Sequence, residues 1–319
     1  MIEVKVKAFA KINLSLDVTG VRDNGYHDVC MVMQTVGIWD DLTLKKITTG
    51  EPVSDPDLFD IKINGIPGDP DDDNYINISS LSFGEDNLIY KAAKKFFAAC
   101  KEKGKNLTNP KEACSGIEIG ITKHIPLSAG LAGGSTDAAG TLRGLNSLFE
   151  TGFSQKELCD IAATIGADVP FCIIGGTVLA EGIGEILTPL PPAPKCYLLV
   201  AKPDKGLSTK HVYDNLVLDE KTKHPDTEAV IQAINDGDIR ELCNSMGNVL
   251  ESVAIPALPM IGAMKTTMRS MGAIGSLMSG SGSTVFGIFL DEAKAKQAEY
   301  NFKLTAFAKE TYLTTFVSV

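Results

Sequence analysis

The sequence predicts two domains of mixed strands and helices, and three observations carry that reading. A chain of 319 residues with 44% hydrophobic content is long enough to bury two separate cores. Its N-terminal part alternates apolar and polar residues at strand period, whereas helical patterns begin near residue 87 and recur along the rest of the chain. Residues 189–194 hold four prolines, which neither continue a helix nor fit a central strand, so the boundary is expected there, with domains at 1–190 and 191–319.

The elements follow in order. Residues 1–7 alternate like a strand and lack the apolar core of a signal peptide. Ile12, Leu14, Leu16 and Val18 then alternate with Lys11, Asn13, Ser15 and Asp17, which puts the polar set on one sheet face. A turn is expected at Asn24-Gly25, and an extended pattern resumes from Met31 to Leu44. Residues 52–86 are rich in Asp, Pro, Gly, Asn and Ser and read as an insertion with one strand at 59–63; its stretch Asp69-Pro70-Asp71-Asp72-Asp73 reads as a solvated tip.

A helix is expected after Asp86-Asn87, with Ile89, Ala92, Ala93, Phe96 and Cys100 as its buried stripe and Lys91 and Lys94 on its wet face. A strand through Ile117, Ile119 and Ile121 follows. Ser154 and Glu157 form a capping-box pattern that opens a helix ending at Gly166, just before Ala167-Asp168-Val169-Pro170. Beyond the prolines come a strand at 197–200, helices at 226–235, 239–253 and 258–271, a strand at 284–290, a helix from Asp291 and a last strand at 314–319. No tandem repeat is apparent.

Composition narrows the function classes. Thirty Lys plus Arg against forty Asp plus Glu give a net charge of −10, which argues against nonspecific nucleic-acid or anionic-membrane binding. The seven cysteines are scattered without a C-x-x-C pair and read as reduced core residues of a cytoplasmic protein. No apolar run is long enough to span a bilayer. His124, His211 and His224 are isolated, so no His/Cys metal cluster is expected and no metal ligand is assigned.

The most informative stretch is residues 125–139, where a glycine-rich loop runs into a helix with Ala138, Leu142, Leu145 and Phe149 on one face from Ser135 onward. Gly130, Gly133 and Gly134 leave main-chain N–H groups uncovered where the positive end of a helix dipole lies, which is the chemistry of a phosphate site. Ser135 and Thr136 can cap the helix or face a phosphate or its metal. The loop is neither a Walker P-loop nor a dinucleotide fingerprint. Taken alone, it equally describes a turn that caps a buried helix. A second glycine-rich segment, Ser279-Gly280-Ser281-Gly282-Ser283, leads into the strand at 284–290.

Three separated segments, Ala10-Lys11-Ile12-Asn13-Leu14, the 126–139 loop and helix, and the 279–286 loop and strand, resemble the three motifs of the GHMP small-molecule kinases. Gly25-Tyr26-His27 and Gly166-Ala167-Asp168-Val169-Pro170-Phe171 are similar to the branch whose acceptor is the 2-hydroxyl of cytidine diphospho-methylerythritol. The resemblance implies a two-domain α+β fold: an N-terminal ATP-binding domain like a ribosomal-protein α/β domain, a ferredoxin-like C-terminal domain, and an active site in the cleft between them. It implies ATP and Mg²⁺, a small-molecule acceptor in isoprenoid precursor synthesis, and neither nucleic acid nor membrane as partner. The alternatives are another GHMP kinase of the mevalonate-pathway or sugar type, or a noncatalytic nucleotide-binding relative.

Residue by residue, the resemblance implies that Pro126, Leu127, Ser128, Ala129, Gly130, Leu131, Ala132, Gly133, Gly134, Ser135 and Thr136 wrap the ATP phosphates and that Asn87 belongs to the adenine pocket. It implies Asp168 as general base assisted by Lys11, where the residues alone read as a helix cap and an exposed strand residue. Asp137 is a rival carboxylate at the start of the loop's helix. Acceptor recognition falls to Asn13, Tyr26, His27, Thr209 and Tyr213, with Gly280, Ser281 and Gly282 closing on the phosphate or acceptor side. Ala132 and Thr136 depart from the usual loop, and Ala132 is expected at negative φ, where its Cβ costs little.

Overall fold

The computed structural model describes residues 2–23, 25–48, 55, 59–70, 76–79, 81–105, 107 and 114–318. Asn24 of the expected turn and Asp71, Asp72 and Asp73 of the acidic stretch lie outside the described residues. The chain packs as two compact units that interleave along the sequence. One comprises Met1–Phe9, Trp39–Ile125 and Gly133–Ile174, and the other Ala10–Ile38, Pro126–Ala132 and Gly175–Val319.

The first unit holds the start of β1 (Glu3–Val21) and the end of β2 (His27–Ile47), followed by β3 (Asp60–Gly65), α1 (Leu88–Glu102), β4 (Gly116–Thr122), α2 (Gly133–Phe149), α3 (Gln155–Ala163) and α4 (Val169–Ile174). β3 runs parallel to β4, with Ile63 opposite Ile119, and β4 runs antiparallel to β2, with Ile119 opposite Leu44. The expected stripe of α1 is buried, joined by Phe97, because Phe59, Phe149 and Phe153 supply an edge-to-face aromatic cluster that fills both sides of the helix. Lys91 and Lys94 are exposed. Helix α2 starts at Gly133, two residues earlier than its periodicity indicated, and lies close on the sheet at Gly140, where a Cβ would stand 2.6 Å from Leu42. The capping box of α3 is formed on both sides, and the helix gives way at Ala163, short of Gly166.

The second unit contains the remainder of β1 and β2, then β5 (Thr177–Glu181), β6 (Ile186–Pro189), β7 (Tyr197–Lys202), α5 (Thr209–Asp214), α6 (Thr227–Asp236), α7 (Ile239–Ser245), β8 (Gly247–Asn248), α8 (Glu251–Ala257), α9 (Met260–Ser270), β9 (Gly275–Met278), β10 (Val285–Phe289), α10 (Glu292–Lys303) and β11 (Glu310–Thr315). β7, β9, β10 and β11 form an antiparallel sheet in the order β11-β7-β10-β9. Numbered along the chain that order is 4-1-3-2, the arrangement of a ferredoxin-like βαββαβ unit.

Two expectations are corrected here. The helix expected over 239–253 is broken, because Gly247 and Asn248 leave it to pair in parallel with Ser15 and Leu16 of β1. The last strand begins at Glu310 rather than at 314, since the polar Glu310 is buried against Lys202 at 3.4 Å and so hides the strand's apolar pattern. None of the seven cysteines is joined in a disulfide, and five are buried. No helix among the described residues is long and apolar enough to cross a membrane.

Candidate active site

In the second unit, β1 is buried on both faces. Its apolar face carries Ile12, Leu14 and Leu16, and its polar face carries Lys11, Asn13, Ser15 and Asp17, none more than 8% exposed. A polar stripe is tolerated inside a protein only where it is hydrogen-bonded, and each member has its partner. Ser15 meets Thr227 at 2.7 Å, Asp17 meets Nδ1 of His224 at 2.7 Å, and Lys11 Nζ donates to Asn13 Oδ1 at 2.7 Å. Lys11 is therefore a buried cation and not the exposed strand residue that alternation alone allowed.

The two glycine loops meet in this unit. Asn13 Oδ1 also accepts from the Gly280 N–H at 3.1 Å, and Ser279 Oγ donates to the Gly130 carbonyl at 3.0 Å. A Cβ on Gly130 would fall 2.3 Å from the Ser279 carbonyl oxygen, and the residue sits at φ 74°, so glycine is required there for contact and for conformation. The Lys11 N–H donates to the Leu131 carbonyl at 3.2 Å, tying the first loop to β1.

Ser128, Gly130 and Ala132 all lie in the left-handed region, at φ 52°, 74° and 59°. The negative φ expected at Ala132 is thus wrong. Left-handed residues at every second position are a backbone pattern in which N–H groups converge on an anion, and that geometry outweighs the ~1–2 kcal/mol a Cβ costs in this region. Pro126, Ala129 and Leu131 are buried, Leu127 is half-buried and Ser128 exposed.

The remaining residues of the second loop are buried: Ser281 shares a 2.8 Å hydrogen bond with Thr209, and Ser283 Oγ donates to the Lys205 carbonyl at 2.9 Å. Gly280 and Gly282 take positive φ. Thr209 and Tyr213 lie one turn apart on α5, and the Tyr213 ring stands 5.0 Å from the His27 ring. Tyr26 is largely exposed. The structure therefore groups Lys11 with Asn13 and Gly280, Thr209 with Ser281, and His27 with Tyr213.

In the first unit, the start of α2 presents Gly133, Gly134 and Ser135, with Gly134 exposed, as first-turn donors that have no partner within the helix. The Thr136 hydroxyl donates to the Phe9 carbonyl at 2.6 Å. Asn87 caps α1: its Oδ1 accepts from the Ile89 N–H at 2.8 Å and its Nδ2 donates to the Ser82 carbonyl at 2.7 Å. Asp168 precedes α4 and is half-buried, with its carbonyl accepting from the Cys172 N–H at 3.2 Å.

Beside α2 lies a group that sequence reading missed. The Lys123 ammonium is buried between Asp40 and Asp137, donating to Asp137 Oδ2 at 2.7 Å and to Asp40 Oδ2. Asp40 Oδ1 accepts from the N–H groups of His124 and Ile125, at 2.6 and 2.8 Å. Burial pushes the Asp137 carboxyl well above the ordinary range, with Lys123 opposing and Asp40 reinforcing that rise. Burial acts to lower the Lys123 ammonium, but Asp137 and Asp40 outweigh it and leave it raised.

Among the described residues no group of three His, Cys, Asp or Glu side chains forms a cation site. Asp137 gives Oδ2 to Lys123, while its buried Oδ1 has no hydrogen-bond partner among the described residues. Any ion arriving with a nucleotide would be held chiefly by phosphate oxygens.

Residues 87–176 match the GHMP kinases N terminal domain and residues 230–306 the GHMP kinases C terminal. The 4-diphosphocytidyl-2-C-methyl-D-erythritol kinase of Lachnoclostridium phytofermentans is 44% identical over 98% of this chain and 97% of its own. That of Lachnospira eligens is 43% identical over 98% of both. A crystal structure of 4-(cytidine 5'-diphospho)-2C-methyl-D-erythritol kinase superposes with a TM-score of 0.74 at 28% identity, covering 99% of this chain and 100% of that one. Similarity of this extent, end to end and through both glycine loops, means that the chain belongs to the 4-diphosphocytidyl-2-C-methyl-D-erythritol kinase family of the GHMP kinases.

Proposed function

We propose that the chain transfers the γ-phosphoryl group of ATP, with Mg²⁺, to the 2-hydroxyl of 4-(cytidine 5'-diphospho)-2-C-methyl-D-erythritol, as a cytoplasmic step in making isoprenoid precursors. The observation that carries this reading is the buried Lys11 ammonium tied through Asn13 to two interlocked glycine loops. A desolvated cation beside uncovered main-chain donors is suited to an acceptor oxygen and a transferring phosphoryl group. The 190/191 domain division goes with this reading, supported by the two family segments falling on either side of it.

Phosphoryl transfer asks little covalent chemistry of the protein and much positioning. Residues 126–136 hold the phosphates by main-chain N–H groups. The acceptor hydroxyl gives its proton to Asp168, its oxygen forms the new bond to the γ-phosphorus, and the bond to the bridging oxygen breaks to release ADP. Lys11 steadies negative charge on the reacting oxygen. His27 and Tyr213 offer a ring face and a hydrogen-bonding edge to cytosine. Asn87 keeps a place at the adenine side through the helix it caps.

The test is a coupled assay of ADP release with the cytidine diphospho-alcohol, run beside mevalonate and homoserine. Turnover is expected with the first alone. Asp168→Asn and Lys11→Ala should each lose at least about a hundredfold in kcat while nucleotide binding persists. Near-normal turnover in either variant removes that residue from the mechanism, and preference for mevalonate or homoserine overturns the substrate.

A further inference from the structure

Asn248 lies in β8, in a stretch whose pattern reads as mid-helix, and its side chain is hydrogen-bonded to Gly280 of the second glycine loop. The residue is 8% exposed, and its amide makes three hydrogen bonds. Nδ2 donates to the carbonyls of Met278 at 2.9 Å and Gly280 at 2.8 Å, and Oδ1 accepts from the Leu250 N–H at 3.0 Å. Two carbonyls on one side and one N–H on the other fix which way the amide faces.

The bonds close a ring. β8 is anchored on β1, where Leu16 stands opposite Asn248 and the Val249 N–H donates to the Leu16 carbonyl at 2.9 Å. From that anchor Asn248 holds the Gly280 carbonyl. The N–H of Gly280 in turn donates to Asn13 Oδ1, the acceptor of the Lys11 ammonium, on the same strand β1. The peptide groups of Gly280 are thus gripped from β1 at two points, directly by Asn13 and indirectly by Asn248. The segment beside them is pinned further by Glu251 Oε1, which accepts from the Met278 N–H at 2.9 Å.

We propose that Asn248 is a positioning residue for the phosphoryl transfer, setting the place of Gly280 and through it the Asn13 oxygen that orients Lys11. This rests on the assignment of Lys11 in the proposed function. Glycine-rich backbone has many accessible conformations, and removal of the amide leaves the carbonyls of Met278 and Gly280 without this partner, so the loop shifts by a fraction of an ångström. Misplacement of that order, away from the reacting atoms, lowers the rate without removing any reacting group.

The experiment compares Asn248→Ala with the wild type by steady-state kinetics on protein shown to be folded at the assay temperature. We expect kcat to fall about 10- to 100-fold with KM for ATP changed less than about threefold, and since the protein is folded at the assay temperature a reduced active fraction does not account for the loss. In an Asn13→Ala background, where the link to Lys11 is already cut, adding Asn248→Ala should cost no more than about twofold more. Asn248→Leu keeps the side-chain volume and loses both donors without burying a charge against the two carbonyls, so it carries the same expectation where the alanine variant does not fold. A kcat within threefold of wild type in the folded variant overturns the proposal, as does full additivity with Asn13→Ala. Undiminished turnover in Lys11→Ala instead overturns the mechanistic reading on which it rests.

Discussion

The two glycine loops are braced in opposite ways. In the first unit, the approach to the first loop is held by charge: Asp40 grips the His124 and Ile125 N–H groups while sharing Lys123 with Asp137. In the second unit the second loop is held by neutral amides, Asn248 on one side and Asn13 on the other. A charged brace is strong when whole and costly when a partner is lost, because an uncompensated charge remains buried. A neutral brace costs less to break, but it fixes direction closely, since an amide has distinct donor and acceptor ends. Folding should therefore depend more on the first, and turnover more on the second.

The largest effect expected from breaking this contrast is in Asp40→Ala. It takes one of two carboxylates from Lys123 and leaves the His124 and Ile125 N–H groups without their acceptor, and chemical denaturation should show a loss of about 3–5 kcal/mol or failure to fold. A loss below about 1 kcal/mol would show that the brace is not a charged one. The Asn248→Ala variant should show the converse, with a kinetic loss out of proportion to its change in stability.

A finer test uses Asp137→Asn. A carboxyl whose folded pKa is raised binds its proton more tightly in the folded chain than in the unfolded one. Its stabilising contribution is fully present below the unfolded value, near 3.8, and is lost as pH rises through the folded value. With asparagine in place this loss disappears, so the fall in stability between pH 4 and neutrality should flatten, by urea melts across that range. An unchanged slope would mean that Asp137 is ionised throughout.

The smallest effect concerns backbone strain. Ala132→Gly relieves a left-handed alanine at some cost in chain entropy, and should stabilise by about 0.5–1 kcal/mol. Destabilisation of that size would point to a packing role for the Ala132 methyl group.

Much of this was legible in the linear chain. The stripe of α1, the capping box of α3, the alternation of β1 and both glycine loops are local patterns, and local patterns survive folding. Lys123, Asp40 and Asn248 were not legible in the same way. Lys123 and Asp40 stand 83 positions apart with no periodicity between them, and their pairing exists only once β2 and β4 are in register. Asn248 lay under an apparent helical pattern, although Gly247-Asn248 is itself a breaker signal that could have exposed it. Ala132 misled because sterics of a lone residue favour negative φ, whereas contacts of its loop decide the matter.

By itself, then, the sequence determined the kind of chemistry: uncovered amides at a helix start, a lysine and a carboxylate in recognisable surroundings, and a chain large enough for two cores. Tertiary structure alone decided which polar groups share the interior and which loop residue bends left. Those outcomes depend on burial and on partners tens to hundreds of positions away, and the energy of a buried charge or amide is set by what surrounds it rather than by its neighbours in the chain.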